Sequence, residues 1–298
     1  MRIYLLPLLC LLLFSCAKKG QNLTESTGDS QAYPKVTLDT LHQNFDVLVQ
    51  ETSGLMNINN TFWTNNDSGG EPSLYQFDIE SGKVIRTVEI AGVQNIDWEE
   101  LASDSVNFYI GNFGNNLGKR KDLVIYKGLV EDLLTKDRVD VSEIKFSYPD
   151  QERYYNGYNH NHDCEAMIVS GDRIYLFSKN WGDMHSKLYS LPTKPGEYDA
   201  ELISRFNTQG VITAADISVD GDKLVLLGYT GSPQRGFDPF IWKIMNWNDE
   251  DFFSGEKSRY MITTRRQMEG ITFENDKSLL ISSEDESGSH PALYRMHL

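Results

Sequence analysis

A short motif recurs five times along the chain and constrains the fold more than any other feature. In each copy, a polar residue lies just ahead of an apolar run of strand length. Aligned on the apolar residue two places later, the motif positions are Ser53, Glu99, Glu165, Ala215 and Glu269. Glu is disfavoured in strands, yet it fills three of the five positions. The recurrence therefore indicates a repeated structural unit and a shared role for the acids.

Each motif is followed by a second apolar run, a polar loop and a third run that contains one aromatic residue. The aromatic residues are Tyr75, Tyr126, Tyr189, Trp242 and Tyr294, for which we expect packing between units. Fourth runs are present at 84–90, 142–148, 200–206 and 259–264. The motif positions are 46, 66, 50 and 54 residues apart. Four strands at this period predict an all-β fold, a five-bladed β-propeller.

The last copy has only three runs before the chain ends at Leu298. We expect residues 36–41 or 46–50 to supply its outer strand, which would close the ring and protect the open sheet edge. Six blades is the alternative if 33–52 forms a degenerate blade. The long second interval is explained by an insertion at 129–140 and by the Tyr-rich run 154–162.

The first strand of each propeller blade lines the central channel, so the five motif positions should form a ring at one mouth. Carboxylates held close together repel one another unless a cation lies between them. Oxygen ligands in a roomy ring favour Ca²⁺. The predicted metal ligands are Ser53, Glu99, Glu165, Ala215 through its carbonyl, and Glu269. Alternatively, the Glu side chains accept hydrogen bonds from neighbouring strand-start amides and hold no metal.

These motifs resemble those of the calcium-activated nucleotidases (apyrases). The matching stretches are Thr-Ser-Gly-Leu at 52–55, Trp-Glu-Glu-Leu-Ala at 98–102, Cys-Glu-Ala-Met at 164–167 and Glu-Gly-Ile-Thr-Phe at 269–273. The resemblance implies a five-bladed propeller with a tunnel Ca²⁺ bound by one residue per blade, alternating Glu and Ser. Ala215 departs from that pattern, and the basic residues that clamp a nucleotide are not evident.

The polar loops supply candidates for catalysis and for ligand binding. If the protein is a Ca²⁺-dependent hydrolase of phosphoanhydride or ester substrates, a base would come from Asp67, Asp163 or His162, or from His160. The predicted substrate-binding residues are Trp63, Asn66, Asn112, Asn116, Lys179, Trp181 and Arg265. The alternative is a propeller that binds a glycan or a protein partner without turnover.

The charge balance narrows the class of ligand. The formal net charge is −15, which disfavours nucleic acid as a partner. The acidic run at 284–286 argues further against a polyanionic substrate. A small-molecule, glycan or protein ligand on the metal face remains, and we expect a monomer.

The first 15 residues have the pattern of a secretion signal, with Arg2 ahead of an apolar run too short to span a membrane. The run ends in Leu-Phe-Ser-Cys16, which resembles a bacterial lipobox, so we predict lipidation of Cys16 and a membrane anchor. Residues 16–32 should be a flexible tether and 33–298 the propeller. Ala17 in place of Asp favours the outer membrane. We expect Cys164 to be a small buried core residue.

Overall fold

The computed structural model describes residues 32–154, 157–232, 234–284 and 290–298. The predicted signal peptide, Cys16 and the tether up to residue 31 lie outside these residues. Among the described residues, no helix has the length and apolar character needed to cross a membrane. The described chain is built almost entirely from short strands that form five sheets.

The five sheets are the blades, and each blade begins at the channel and runs outward. Blade 1 consists of β3 (Thr52–Ile58), β4 (Thr61–Asn66), β5 (Ser73–Asp78), β6 (Lys83–Ile90) and β10 (Arg138–Val139). Blade 2 consists of β7 (Trp98–Ser103), β8 (Asn107–Asn112), β9 (Val124–Leu129), β11 (Ser142–Ser147) and β15 (Gly196–Asp199). Blade 3 consists of β12 (Asp163–Ser170), β13 (Arg173–Lys179), β14 (Ser186–Pro192) and β16 (Glu201–Phe206).

Blade 4 consists of β17 (Val211–Ile217), β18 (Lys223–Ser232), β19 (Gly236–Met245), β20 (Glu256–Ile262) and β1 (Lys35–Val36). Blade 5 consists of β21 (Met268–Asn275), β22 (Ser278–Ser283), β23 (Ala292–His297) and β2 (Asp39–His42). The helical segments are short: α1 (Val130–Thr135) and two 3-10 helices, Val47–Val49 and Phe252–Ser254. The predicted insertion at 129–140 is therefore α1 followed by β10.

The innermost strands contact one another in a closed cycle: β3 with β7, β7 with β12, β12 with β17, β17 with β21, and β21 with β3. These five strands surround the central channel. The five-bladed propeller is confirmed, and the six-bladed alternative is wrong because 33–52 contributes two short strands and a 3-10 helix rather than a blade.

The ring is closed by the N-terminal segment, as predicted. Strand β2 pairs antiparallel with β23, with Asp39 opposite Arg295 and Thr40 opposite Tyr294. The N-terminal strand β2 and the last strand, β23, thus share one blade. Strand β1 adds a parallel edge strand to blade 4, which the sequence did not predict.

The hydrophobic core lies between the blades. Five apolar clusters each join two neighbouring blades, and each contains one of the third-strand aromatic residues. The predicted role of those aromatic residues in packing between blades is confirmed. Cys164 is buried in the cluster between blades 2 and 3, and burial raises the pKa of its thiol to about 12, as expected of a core residue.

Candidate metal centre at the channel mouth

Every innermost strand carries a β-bulge near its start. The pairing register breaks at Thr52/Leu55, Trp98/Glu100, Cys164/Ala166, Ile212/Ala214 and Met268/Gly270. The bulged residues are Ser53 (with Gly54), Glu99, Glu165, Thr213 and Glu269. A bulge leaves one residue outside the ladder and re-aims its side chain. This explains why Glu recurs there: a bulged residue is not paired in the regular ladder, so the low preference of Glu for strands does not apply.

The prediction for blade 4 was wrong by two residues. The bulge holds Thr213, whereas Ala215 pairs regularly with Leu226 and donates its amide to Glu100 Oε2 at 2.9 Å. The alignment slipped because this blade has Ala where other blades have Leu, Met or Ile, so the next large apolar residue, Ile217, was matched instead. The corrected set holds two hydroxyl residues and three Glu.

The two hydroxyl residues link neighbouring blades. Ser53 Oγ donates to the Glu99 carbonyl oxygen at 2.6 Å. Thr213 Oγ1 donates to the Met268 carbonyl oxygen at 2.8 Å. Each bond joins a bulge to the bulge region of the following blade. These hydroxyls therefore help to fix the distance between neighbouring blades at the mouth. In both bonds the hydroxyl is the donor, so its oxygen can still accept a bond or bind a cation.

Three acids from blades 1 and 2 form the tightest cluster of the mouth. One carboxylate oxygen from each of Asp67, Asp97 and Glu99 lies within 4.8 Å of the other two. Glu99 is 4% exposed, and its Oε1 has no hydrogen-bond partner among the described residues. A buried carboxylate oxygen without a donor is costly, so this arrangement calls for a cation or a proton.

Gly114 makes room for this cluster. A Cβ at this position would lie 2.0 Å from Glu99 Oε1 and 2.6 Å from Asp97 Oδ2. The loop that carries Gly114 is held by Arg120, which donates to the Gly114 carbonyl oxygen at 2.8 Å. The backbone thus approaches the acids closely because no side chain intervenes.

The electrostatics show how closely the acids are confined. Burial, then neighbouring acids, raises the pKa of Glu99 well above its usual value. Burial likewise raises the pKa of Asp67 to about 6, and burial with repulsion from Asp67 and Asp163 raises that of Asp97 to about 7. Burial also raises the pKa of Glu269 to about 7. Buried acids with too few donors hold protons instead of charge.

The acids on the blade 3 and blade 5 side have partners. The Glu165 carboxylate forms a buried ion pair with Lys179 Nζ. Glu269 Oε1 accepts a hydrogen bond from Gln267 Nε2 at 2.7 Å. The mouth therefore has two parts: an unpaired acidic cluster on blades 1 and 2, and an acidic part neutralised by a lysine.

Two of the predicted catalytic residues have other roles. Asp163 is fully buried, with Oδ1 accepting from the amides of Asn115 (2.7 Å) and Cys164 (3.0 Å) and Oδ2 from Trp181 Nε1 (2.9 Å). His162 is buried, and its Nε2 lies 3.3 Å from Lys187 Nζ. Burial is the main cause that lowers the pKa of His162 to about 4, and the positive charge of Lys187 is the second. Asp163 organises the loops, and His162 belongs to a buried network with Lys187 and Asp150.

The predicted ligand-binding residues divide between core and surface. Trp63 and Asn112 are fully buried, so these two predictions are corrected: Trp63 packs between blades 1 and 2, and Asn112 donates to Tyr126 Oη at 3.1 Å. Arg265 is exposed and pairs with Asp238 at 3.0 Å.

The remaining candidates lie around the mouth. Trp181 is half-buried, and its ring contacts that of Tyr158 edge-on at 5.6 Å. Asn66 donates to the Leu48 carbonyl oxygen at 2.8 Å. The Asn116 carbonyl oxygen lies 2.9 Å from His160 Nε2. Lys179 is buried in its ion pair, so it is a component of the centre and not a surface group.

Sequence reasoning missed Asp97, Thr213, Gly114 and Glu284. Asp97 and Asp163 both lie two residues before a bulged Glu, a spacing visible in the sequence. Glu284 directly follows β22, as Asp67 follows β4, so both acids open the loop between the second and third strands. Burial and the neighbouring Glu269 and Asp67 raise the pKa of Glu284 to about 9. The role of Gly114 could not be read from sequence, since it depends on contact with another strand.

Comparison with known proteins gives only distant matches. No protein-family model matches the chain, and no curated protein matches it. An α-L-arabinofuranosidase from Podospora anserina is similar in structure, with 10% identity, a TM-score of 0.44, and coverage of 89% of this chain and 98% of that chain. The mannose phosphorylase MPT-4 from Leishmania mexicana is similar with 13% identity, a TM-score of 0.46 and coverage of 89% of both chains.

A proposed 6-phosphogluconolactonase from Bacteroides uniformis matches with 14% identity and a TM-score of 0.38, over 78% of this chain. The present chain spans 64% of that protein's length, less than two thirds. At these identities the likeness concerns the general fold, and no substrate or reaction is inferred from it.

Proposed function

We propose that the channel mouth binds Ca²⁺ at Asp67, Asp97 and Glu99, and that the protein is a Ca²⁺-dependent hydrolase of the bacterial cell envelope. The observation that carries the proposal is the buried Glu99 carboxylate. Its Oε1 has no donor among the described residues, and one of its oxygens lies within 4.8 Å of oxygens of Asp67 and Asp97. The donors in the cluster are all oxygens, which suits Ca²⁺ better than Zn²⁺. Gly114 leaves the space that a ligand shell requires.

The resemblance to the calcium-activated nucleotidases gains support from the corrected register. With Thr213 in the blade 4 bulge, a hydroxyl stands where that family has Ser, and the departure at Ala215 disappears. The bulged residues of this chain then belong to the family's two classes, hydroxyl and carboxylate, although Glu99 and Glu165 are neighbours in the ring. This supports a phosphoanhydride or an ester as the substrate class.

The chain's own residues divide the tasks of such a reaction. When bound, Ca²⁺ would polarise a phosphoryl or carbonyl oxygen of the substrate. Glu284, whose pKa is raised to about 9, holds a proton at neutral pH in the metal-free protein and is the candidate donor to a leaving group. Trp181, half-buried and fixed by its bond to Asp163, offers a ring surface beside the acids.

The test combines binding with turnover. We expect Ca²⁺ to raise the melting temperature relative to chelator and to be required for release of phosphate from nucleoside di- or triphosphates, or of product from aryl esters and lactones. Glu99→Gln should abolish both effects. Glu143→Gln is the matched control, since it also removes one negative charge but lies on β11, in an exposed ion pair with Lys145.

Two outcomes would count against the proposal. No Ca²⁺-dependent change in melting temperature would reject the metal site. A Ca²⁺-dependent shift without turnover on the whole panel would reject the hydrolase and leave a non-catalytic propeller that binds a glycan or a protein.

The location at the envelope is proposed from the leader alone. Lipidation at Cys16 would hold the propeller on a membrane, by our proposal the outer membrane, through the tether. Cell fractionation tests this: the wild-type protein should sediment with membranes, and Cys16→Ser should not be lipid-modified. An unchanged lipid content in Cys16→Ser would reject the anchor.

A further inference from the structure

Lys179 is an unusual residue to find inside the mouth. It is the last residue of β13 and is only 3% exposed. Its Nζ forms the ion pair with Glu165, and it lies 4.9 Å from the ring centroid of Trp181 and 5.5 Å from that of Tyr229. An ammonium group packed between a carboxylate and two aromatic faces is held as a fixed cation.

The position of Lys179 in its blade matches that of Asp67. Lys179 follows Ser178, which pairs with Cys164 beside the blade 3 bulge, and Asp67 follows Asn66, which pairs with Thr52 beside the blade 1 bulge. One blade thus presents a cation where another presents an acid.

The acids that act most strongly on Lys179 are Glu165, Glu269 and Asp163, and Asp67, Asp97 and Glu284 lie farther out. Their negative charges raise the pKa of Lys179 against the effect of burial, so the ammonium group stays protonated. Asp163 is already saturated by three donors. Lys179 therefore neutralises Glu165 by direct contact and is the main positive charge near Glu269. Among the described residues, Asp67, Asp97 and Glu99 form no ion pair, and Lys179 and Arg120 attract Asp97 only from a distance.

We propose that Lys179 is the resident second cation of the centre: it takes the place that a second divalent ion would occupy at Glu165 and Glu269. The native centre then binds a single metal ion, displaced from the channel axis toward blades 1 and 2. This inference rests on the proposed Ca²⁺ site at Asp67, Asp97 and Glu99. By this proposal, removal of the Lys179 ammonium group creates a second metal site, with the carboxylates of Glu165 and Glu269 as ligands.

The experiment is a calorimetric titration of the full-length protein with Ca²⁺. The wild-type protein should bind one ion and Lys179→Met two, because Glu165 and Glu269 lose their internal cation. Lys179→Arg keeps the positive charge and should bind one. Lys179→Met combined with Glu165→Gln removes a ligand of the second subsite and should return the stoichiometry to one.

Each result decides the question. A folded Lys179→Met protein that binds only one ion overturns the proposal. If Lys179→Met folds only when Ca²⁺ is present, the ion has replaced the ammonium group and the proposal stands. If Lys179→Met fails to fold even at millimolar Ca²⁺, Lys179 has a packing role and the proposal is overturned.

The same titration separates this inference from the proposed function. Wild-type protein that binds no Ca²⁺ rejects the proposed metal site, whatever the variant does. Wild-type and Lys179→Met proteins that each bind one ion leave the metal site intact and reject only the role given to Lys179.

Discussion

Acids lie at both ends of the central channel, but the two ends differ in how many hydrogen-bond donors their acids have. At the end opposite the proposed metal site, a cavity of about 780 Å³ is lined by residues of all five blades, including Asp104 and Glu274. Asp104 accepts hydrogen bonds from the amides of Val106 and Asn107, both at 2.7 Å, and from Tyr109 Oη at 2.8 Å. Partial burial opposes ionisation there, yet these donors outweigh it and hold the pKa of Asp104 below its usual value.

Glu274 is satisfied in the same way. Its carboxylate pairs with the Arg295 guanidinium and accepts from Ser278 Oγ, and these contacts lower its pKa. At the proposed metal site, Glu99 Oε1 has no donor among the described residues, and burial raises the pKa values of the neighbouring Asp67 and Asp97. Asp104 and Glu274 thus stabilise the fold with their own donors, whereas Glu99 needs an ion or a proton. Donors do not always suffice: Asp216, which also lines the opposite cavity, accepts from Thr272 Oγ1 and the Phe273 amide, yet burial raises its pKa to about 6.

Glu100 lies between the two ends. It is fully buried on β7, and its side chain reaches across to the amide of Ala215 on β17, a strand that is not its neighbour in the ring. The equivalent residues after the other bulges include Ala166, Ala214 and Gly270, which are small enough to admit it. Glu100 thereby helps to separate the acidic mouth from the opposite cavity.

The largest effect should come from removing one acid of the cluster. We expect Asp97→Asn to weaken Ca²⁺ binding on the order of 100-fold, since a ligand is lost. In chelator at pH 8 the same variant should be more stable than wild type by about 1 kcal/mol, because repulsion is relieved. Calorimetry and urea unfolding measure the two quantities. Unchanged affinity, or lower stability in chelator, would contradict this role for Asp97.

The second prediction concerns pH. The pKa values of Asp67, Asp97 and Glu269 are raised in the folded protein, so the folded state binds protons more tightly than the unfolded state. This contribution is complete below about pH 4 and is lost as pH rises toward 7. In chelator, we expect the free energy of unfolding to fall by about 2 kcal/mol between pH 5 and 8.

Saturating Ca²⁺ should remove most of that fall at the upper end of the range, because the ion replaces the protons. Asp97→Asn in chelator should show a shallower pH dependence than wild type. Stability in chelator that rises steadily from pH 5 to 8 would show that the acids at the mouth are not confined as described.

The third prediction tests the opposite end. Asp104→Asn leaves donors without their acceptor, so it should destabilise the protein by about 2 kcal/mol while Ca²⁺ affinity stays within about twofold of wild type. Thermal unfolding in chelator and calorimetry are the measurements. A variant as stable as wild type would mean that the two ends do not differ in the way their acids are held.

The smallest effect should come from Gly114→Ala. Its Cβ would crowd Glu99 Oε1 and the Asp97 carboxylate, so we expect Ca²⁺ affinity to fall about tenfold, equivalent to about 1.4 kcal/mol. The blade core does not include this position, and the far-ultraviolet circular dichroism should be unchanged. Ca²⁺ affinity equal to that of the wild type would show that the acids bind the ion on the side that faces away from the Gly114 loop.

Much of the architecture could be predicted because the repeat is written in local patterns. The strand periods, the five motif positions and the incomplete last blade predicted the five blades and their closure by β2. The ends of the fourth strands differed from expectation by only a few residues, and β1 was missed because two residues give no periodic signal.

The centre was harder to predict because it depends on register and on contacts between blades. The bulge in β17 cannot be recognised from Val-Ile-Thr-Ala-Ala, and so Ala215 was chosen in place of Thr213. Trp63 looked like a ligand-binding residue because its strand ends at the mouth, but the side chain faces blade 2. The pairing of Lys179 with Glu165 joins two strands of one blade and has no signature in the order of residues.

The most direct test is a crystal structure determined with Ca²⁺ at pH 8. We expect one ion at the channel mouth, about 2.3–2.6 Å from carboxylate oxygens of Asp67, Asp97 and Glu99, with Lys179 still paired to Glu165. A mouth without an ion at saturating Ca²⁺, or an ion bound among the acids of the opposite cavity, would contradict it.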